Sequence, residues 1–298
     1  MVGHPLPEMS AIDQAPAPPE GAPGKRQPGR AGRNLPVAIG VGLGLGALIT
    51  VPLYSPYRWL FVVVVAAAVA IGTREVVAAL RTLGAQPPAV PLLAGGVAMV
   101  VLAYREGPGA LFLALVLTVL SCLVWRLADP AEGFLRDVAA GTFTAVYVPF
   151  LAGFAALLTV PDDGALRVTM LVAVVVCSDT GGYAAGVLLG KHPMAPSVSP
   201  KKSWEGLAGS VVACAVAGAL LLYLLFDANP LLGAVYGLAV VATATLGDLG
   251  ESMVKRDIGI KDMGTLLPGH GGLMDRLDSL LPTAPVAWLL LTAFVPPS

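Results

Sequence analysis

Charge in this 298-residue chain is confined to a few short stretches, and the segments between them are long, apolar runs. That pattern constrains the fold more than any motif does. Charged residues make up 12% of the chain and hydrophobic residues 56%, with a mean hydropathy of +0.79. A soluble domain carries about 25% charged residues. Half that proportion cannot cover a water-facing surface, so lipid is the expected solvent for most of the chain. A bilayer core of about 30 Å needs roughly 20 apolar residues in a helix. Nine runs meet or approach that length: about 35–54, 58–72, 88–104, 109–128, 139–160, 166–190, 205–226, 230–251 and 278–295. The expected fold is all-α, a polytopic integral membrane protein of about nine transmembrane helices.

Residues 1–34 differ in kind. Pro5, Pro7, Pro16, Pro18, Pro19, Pro23 and Pro28 exclude a long helix, and the few small apolar residues cannot build a core. This segment reads as a disordered tail ending in Lys25, Arg26, Arg30 and Arg33. A signal peptide would place its basic patch at the extreme N-terminus, so the first run reads as an uncleaved span. The expected organisation is the tail, N-terminal spans over 35–160, and a C-terminal catalytic region over 161–298.

Lys and Arg concentrate in cytoplasmic loops. With the N-terminus inside and nine alternating spans, fifteen of the 18 Lys and Arg fall on the cytoplasmic side. Only Arg58, Arg105 and Arg167 fall outside. The expectation is therefore a multi-pass cell-membrane protein with its N-terminus cytoplasmic and its C-terminus outside. The stretch 73–84 has Val76, Val77, Leu80 and Leu83 at helical spacing. It is read either as an interfacial helix or as an extension of the second span. Gly40, Gly42, Gly44 and Gly46 have no strand before them and no basic residue after them, so they are expected to serve close helix packing rather than nucleotide binding. Cys122, Cys177 and Cys214 lie in apolar runs with no metal or redox spacing and read as packing residues.

Three cytoplasmic-side segments break the apolar pattern. Cys177-Ser178-Asp179-Thr180-Gly181-Gly182-Tyr183 puts an ionisable group inside a span, where it faces a cavity or a partner. Ser199-Pro200-Lys201-Lys202-Ser203-Trp204-Glu205-Gly206 offers paired ammonium groups flanked by hydroxyls, which suits phosphate or ordinary inside charge. Gly186 to His192 is not a P-loop, because only three residues separate its glycines and a His follows the Lys. The third segment, 248–278, holds six acidic and four basic residues. Bases would dominate in a simple membrane anchor. The mixture suits a site that holds Mg²⁺ through carboxylates and polyphosphate through Lys and Arg. Asp248 and Asp275 lie at the two membrane ends of this segment and are expected to converge. Asp275 and Asp278, three apart, share a helical face.

These residues carry a resemblance. Ser252-x-Val254-Lys255-Arg256-x₄-Lys261-Asp262-x-Gly264-x₂-Leu267-Pro268-Gly269-His270-Gly271-Gly272-Leu273-x-Asp275-Arg276-Leu277-Asp278 resembles the signature of the phosphatidate cytidylyltransferases, the CDP-diacylglycerol synthases. The 178–183 and 199–206 segments resemble that family's other blocks, so the likeness covers roughly 175–285. Two positions depart: Val187 stands where an Arg is often found, and Ser203 where Thr is usual. The second keeps the hydroxyl. The resemblance implies transfer of the cytidylyl group of CTP to phosphatidate, with release of pyrophosphate. It implies a divalent-metal site, Mg²⁺, at Asp248 and Asp275, with a monovalent cation (K⁺) beside it. It implies that Lys201, Lys202, Lys255, Arg256, Lys261 and Arg276 hold phosphates. Ser199, Ser203, Ser252 and His270 are implied substrate contacts, and Asp179, Glu251, Asp262 and Asp278 fill metal, supporting or substrate roles. The implied partners are CTP, phosphatidate and the bilayer, with no nucleic acid; a homodimer is expected at family level only. Two other classes compete. A transporter of a phosphorylated solute would also use broken spans, but near the midplane. A polyprenol kinase or a CDP-alcohol phosphotransferase is another lipid-phosphate enzyme; the aspartate pattern of the latter is absent.

Overall fold

The computed structural model describes residues 35–266 and 271–295. The proline-rich tail and His270 lie outside the described residues. Among the described residues eight helical runs are long and apolar enough to cross a membrane, Phe134–Leu158 and Met274–Phe294 each counted as one, and the described apolar part of α1, Gly40–Leu53, adds a shorter one. The helices are α1 (Leu35–Leu53), α2 (Trp59–Thr82), α3 (Ala89–Glu106), α4 (Pro108–Arg126), α5 (Phe134–Ala145), α6 (Leu151–Leu158), α7 (Gly164–Leu189), α8 (Trp204–Phe226), α9 (Pro230–Ile258), α10 (Met274–Leu277) and α11 (Leu280–Phe294). The architecture is the expected all-α membrane bundle.

Local chemistry sets the boundaries. Gly107 adopts φ 83° and turns α3 into α4, whose first residue is Pro108. Asn229 caps α9 by accepting from Leu231 N at 2.9 Å, and Pro230 opens that helix. A π turn, Val146–Phe150, joins α5 to α6 around Pro149. Pro149 has no N–H to give the ladder, so the span bends there without ending.

Of the two readings of 73–84, the helical extension is the one observed: α2 runs unbroken to Thr82. The Gly40–Gly46 expectation is corrected. A Cβ at Gly40, Gly42, Gly44 or Gly46 would meet nothing within 4 Å. Among the described residues α1 packs chiefly on α2, and none lies close against its glycines. Small residues do their work elsewhere. A Cβ at Gly181 would strike Ala213 and Gly209 of α8, and one at Gly237 would strike the carbonyl of Cys214. These contacts bring α7, α8 and α9 to near backbone contact. Cys122 and Cys214 are buried and unpaired, as expected of packing residues.

Buried side chains such as Met99, Leu111, Val174, Val240 and Leu291 fill the bundle interior. Leu113, Leu117, Leu120 and Val124 on α4, and Val212, Val216 and Leu220 on α8, are exposed. On a chain of this length and composition, those faces meet lipid. At one end Arg167 is almost fully buried. It donates to Asp163 Oδ1 at 2.6 Å and Oδ2 at 2.9 Å, and to the Leu291 and Val295 carbonyls at 3.0 and 2.5 Å. One guanidinium thus ties the start of α7 to the end of α11.

Candidate active site

The charged residues gather at the other end of the bundle, where α7 and α9 finish and α8 begins. α9 does not stop at the last apolar residue but continues to Ile258. The continuation puts Asp248, Glu251 and Lys255 at helical spacings of three and four, on one face. A short antiparallel hairpin, β1 (Pro193–Ala195) and β2 (Ser199–Ser203), closes over that face. With Ser, Pro and Lys in this stretch, no apolar alternation signals a strand. Glu205 secures the base of the hairpin: its carboxylate accepts from Lys191 N at 3.1 Å and His192 N at 3.2 Å, and lies 2.5 Å from His192 Nδ1. Ser203 accepts from Gly206 N at 3.1 Å and caps α8, so part of its hydroxyl's capacity is structural.

Two polar cavities result. The first, about 330 Å³, is lined by Ser178, Asp179, Lys201, Lys202, Ser203 and Asp248 among others. The second, about 260 Å³, is lined by Ser199, Lys201, Ser252, Lys255, Arg256, Lys261 and Asp262 among others. Lys201 lines both, so they adjoin. All three segments singled out in the sequence therefore meet around one site. Lys202 pairs with Asp248. Arg256 Nε donates to Val198 O at 3.3 Å, which fixes the hairpin tip against α9.

Asp248 and Asp275 have different partners. Asp275 is almost wholly engaged: Lys255 Nζ donates to its Oδ1 at 2.9 Å, Met263 N donates to its Oδ2 at 3.0 Å, and Gly272 N donates to the same oxygen at 2.7 Å. Lys255 also bonds Glu251 Oε2 at 2.9 Å. α11 approaches α9 closely at Gly247, where a Cβ would meet the Asp278 carbonyl and Pro282. That approach sets the Asp278 carboxyl against Glu251. Asp278 also accepts from Ser279 N at 2.8 Å. Glu251 Oε1 is fully buried with no hydrogen-bond partner. The Tyr147 hydroxyl, also buried without a partner, lies within electrostatic reach of Glu251, Asp278, Asp248 and Asp275.

The Glu251 and Asp278 carboxyls, set against each other, offer oxygen donors of the kind a hard cation takes. Among the described residues no three His, Cys, Asp or Glu side chains form a ready ligand set.

One residue with no assigned role in the sequence reading stands at this site. Glu75 of α2 accepts from Leu273 N at 3.0 Å and Met274 N at 2.9 Å. Its partners lie 198 and 199 positions away, and no local pattern connects them.

The sequence model of the cytidylyltransferase family matches residues 36–294. The phosphatidate cytidylyltransferase of Mycobacterium leprae is 48% identical over 280 residues, covering 88% of this chain and 89% of the relative. That of Mycobacterium tuberculosis is 47% identical over 286 residues, covering 90% and 87%. A phosphatidate cytidylyltransferase of Haemophilus influenzae is 38% identical over 150 residues, 46% of this chain and 51% of the relative.

Proposed function

This chain belongs to the cytidylyltransferase family, and from that premise we propose that the two adjoining cavities bind CTP and phosphatidate and join them. The products are pyrophosphate and CDP-diacylglycerol, and the latter feeds phospholipid synthesis. The observation that carries this reading is the convergence of Lys201, Lys202, Lys255, Arg256 and Lys261 with Asp248 and Asp275 on one end of a membrane bundle.

A phosphate oxygen of phosphatidate attacks the α-phosphorus of CTP in line, and the bond to the β-phosphate oxygen breaks. The monoester is already largely ionised at neutral pH, so catalysis is positioning and charge neutralisation rather than proton abstraction. Lys201, shared by both cavities, is placed to meet the nucleotide and the lipid phosphate together. Lys255, Arg256, Lys261 and Arg276 balance the triphosphate and the departing pyrophosphate, and Ser199 and Ser252 supply neutral donors. Mg²⁺ held by Asp248 and Asp275, with K⁺ beside it, would supply further neutralisation of the triphosphate. Glu251 and Asp278 support that cation site, and Asp179 faces the cavity from α7.

The charge distribution supports a cytoplasmic site, where CTP is available, with the N-terminus inside and the C-terminus outside. Homodimer formation is an additional proposal from family membership. The test is direct. Purified protein given CTP, phosphatidate and Mg²⁺ should form CDP-diacylglycerol; folded protein that forms none would refute the reading.

A further inference from the structure

Asp275 sits at the start of α10, and it shares with Glu75 the backbone amides of the turn that leads into that helix. Asp275 takes the N–H groups of Met263 and Gly272. Glu75 takes the next two, Leu273 and Met274. Four amides in and around one turn are thus bound by two side chains, one from the turn and one from the N-terminal half of the chain. The fit around Glu75 is close. A Cβ at Gly272 would lie 2.7 Å from Glu75 Oε1, and one at Gly264 would collide with the same oxygen. Three residues before Glu75 on α2, Gly72 leaves the space that Met274 fills: a Cβ there would come within 2.9 Å of Met274 Sδ. Met274 is fully buried. Gly72 and Glu75 share a helical face, so α2 grips Met274 by its side chain and its amide at once.

We infer that Glu75 is a positioning residue for the reaction, a clamp through which the N-terminal helices fix the Asp275 turn against α9. It touches neither cavity. Its effect passes through the backbone of 272–274 to the Asp275 carboxylate and thence to Lys255. A carboxylate accepting two successive amides makes charge-assisted bonds that a neutral side chain cannot both replace. The inference rests on the function proposed above, since it assigns Glu75 to that reaction's rate.

Glu75→Gln is nearly isosteric and keeps one acceptor oxygen. In the full-length protein, turnover should fall roughly 10–100-fold, the range seen for outer partners of a site. The KM for CTP should move less than turnover, because of the lysines that meet the triphosphate only Lys255 is bonded to Asp275. Hydrogen exchange at the Leu273 and Met274 amides should quicken by roughly ten-fold or more, as one lost hydrogen bond requires. Glu75→Asp keeps the charge but shortens the reach, and should show the same loss; it carries the test if the Gln variant does not fold. Arg74→Gln, exposed on the neighbouring face, should leave exchange unchanged. An active wild type whose Glu75 variants keep both turnover and amide protection overturns the inference alone. A wild type that makes no CDP-diacylglycerol overturns it together with the reaction it serves.

Discussion

Lys255 Nζ lies 2.9 Å from Asp275 Oδ1 and 2.9 Å from Glu251 Oε2, so one ammonium joins two buried carboxylates on different helices. Their side chains are 5% and 0% exposed, against 16% for the lysine. Lys255→Met would leave both carboxylates without their cation, a buried uncompensated charge of the most costly kind. Turnover should fall by about 10² or more. Lys255→Arg should not restore it, since a planar fork cannot take the place of a point donor between two facing groups. Steady-state rates of the two variants check this; near-wild-type turnover in either contradicts it.

Asp248 opens to the first cavity and pairs with Lys202, while Asp275 anchors the turn beyond α9. Asp248→Asn and Asp275→Asn should each abolish measurable turnover while the protein still reaches the membrane. Asp275→Asn should also loosen the turn, because its amide cannot accept at both oxygens. Product assays paired with membrane yield decide the matter, and rates near normal would remove either residue from the proposed metal site.

Arg167 serves stability and not chemistry. It lies at the end of the bundle away from the cavities and satisfies two carbonyls at the end of α11 as well as Asp163. Arg167→Met should cost about 3 kcal/mol. Thermal unfolding in detergent should show a midpoint lowered by several degrees, with the KM for CTP unchanged in the protein that remains folded. An unaltered midpoint would show that the guanidinium is dispensable.

The proposed orientation puts Arg105, at the end of α3, and Lys261, just past α9, on opposite faces of the membrane. Single cysteines placed at these positions, in a chain otherwise free of cysteine, should label with an impermeant maleimide from opposite sides. Labelling of both from one side would break the nine-span arrangement.

The sequence was most informative where a single local property decides the outcome. Some apolar runs mark their helices to within a few residues: 205–226 is observed as Trp204–Phe226 and 88–104 as Ala89–Glu106, whereas 58–72 is only the first part of Trp59–Thr82, whose charged last turns continue the helix past the apolar run. α9 runs past the expected end at 251 because charge on one face of a helix does not stop the helix. The hairpin at 193–203 was invisible, being held by Glu205 and by Arg256 rather than by any strand-forming pattern. The glycines of α1 resembled a packing motif, but a Cβ on them would meet nothing within 4 Å among the described residues. The site's polar residues were legible from their density in 248–278, whereas Glu75 was not. It is one carboxylate beside Arg74 near the end of an apolar helix, and its partners are apparent only when α2 and α10 meet.

Cytidylyl transfer makes its new bond to the α-phosphorus of CTP. The most direct measurement supplies purified protein with phosphatidate, Mg²⁺ and CTP labelled in either the α- or the γ-phosphate. Cytidylyl transfer predicts that the α-label enters the lipid fraction in equal amount to the CDP-diacylglycerol formed, while the γ-label leaves as pyrophosphate. A γ-label recovered in lipid would mark a kinase, and a lipid fraction free of both labels would contradict the account altogether.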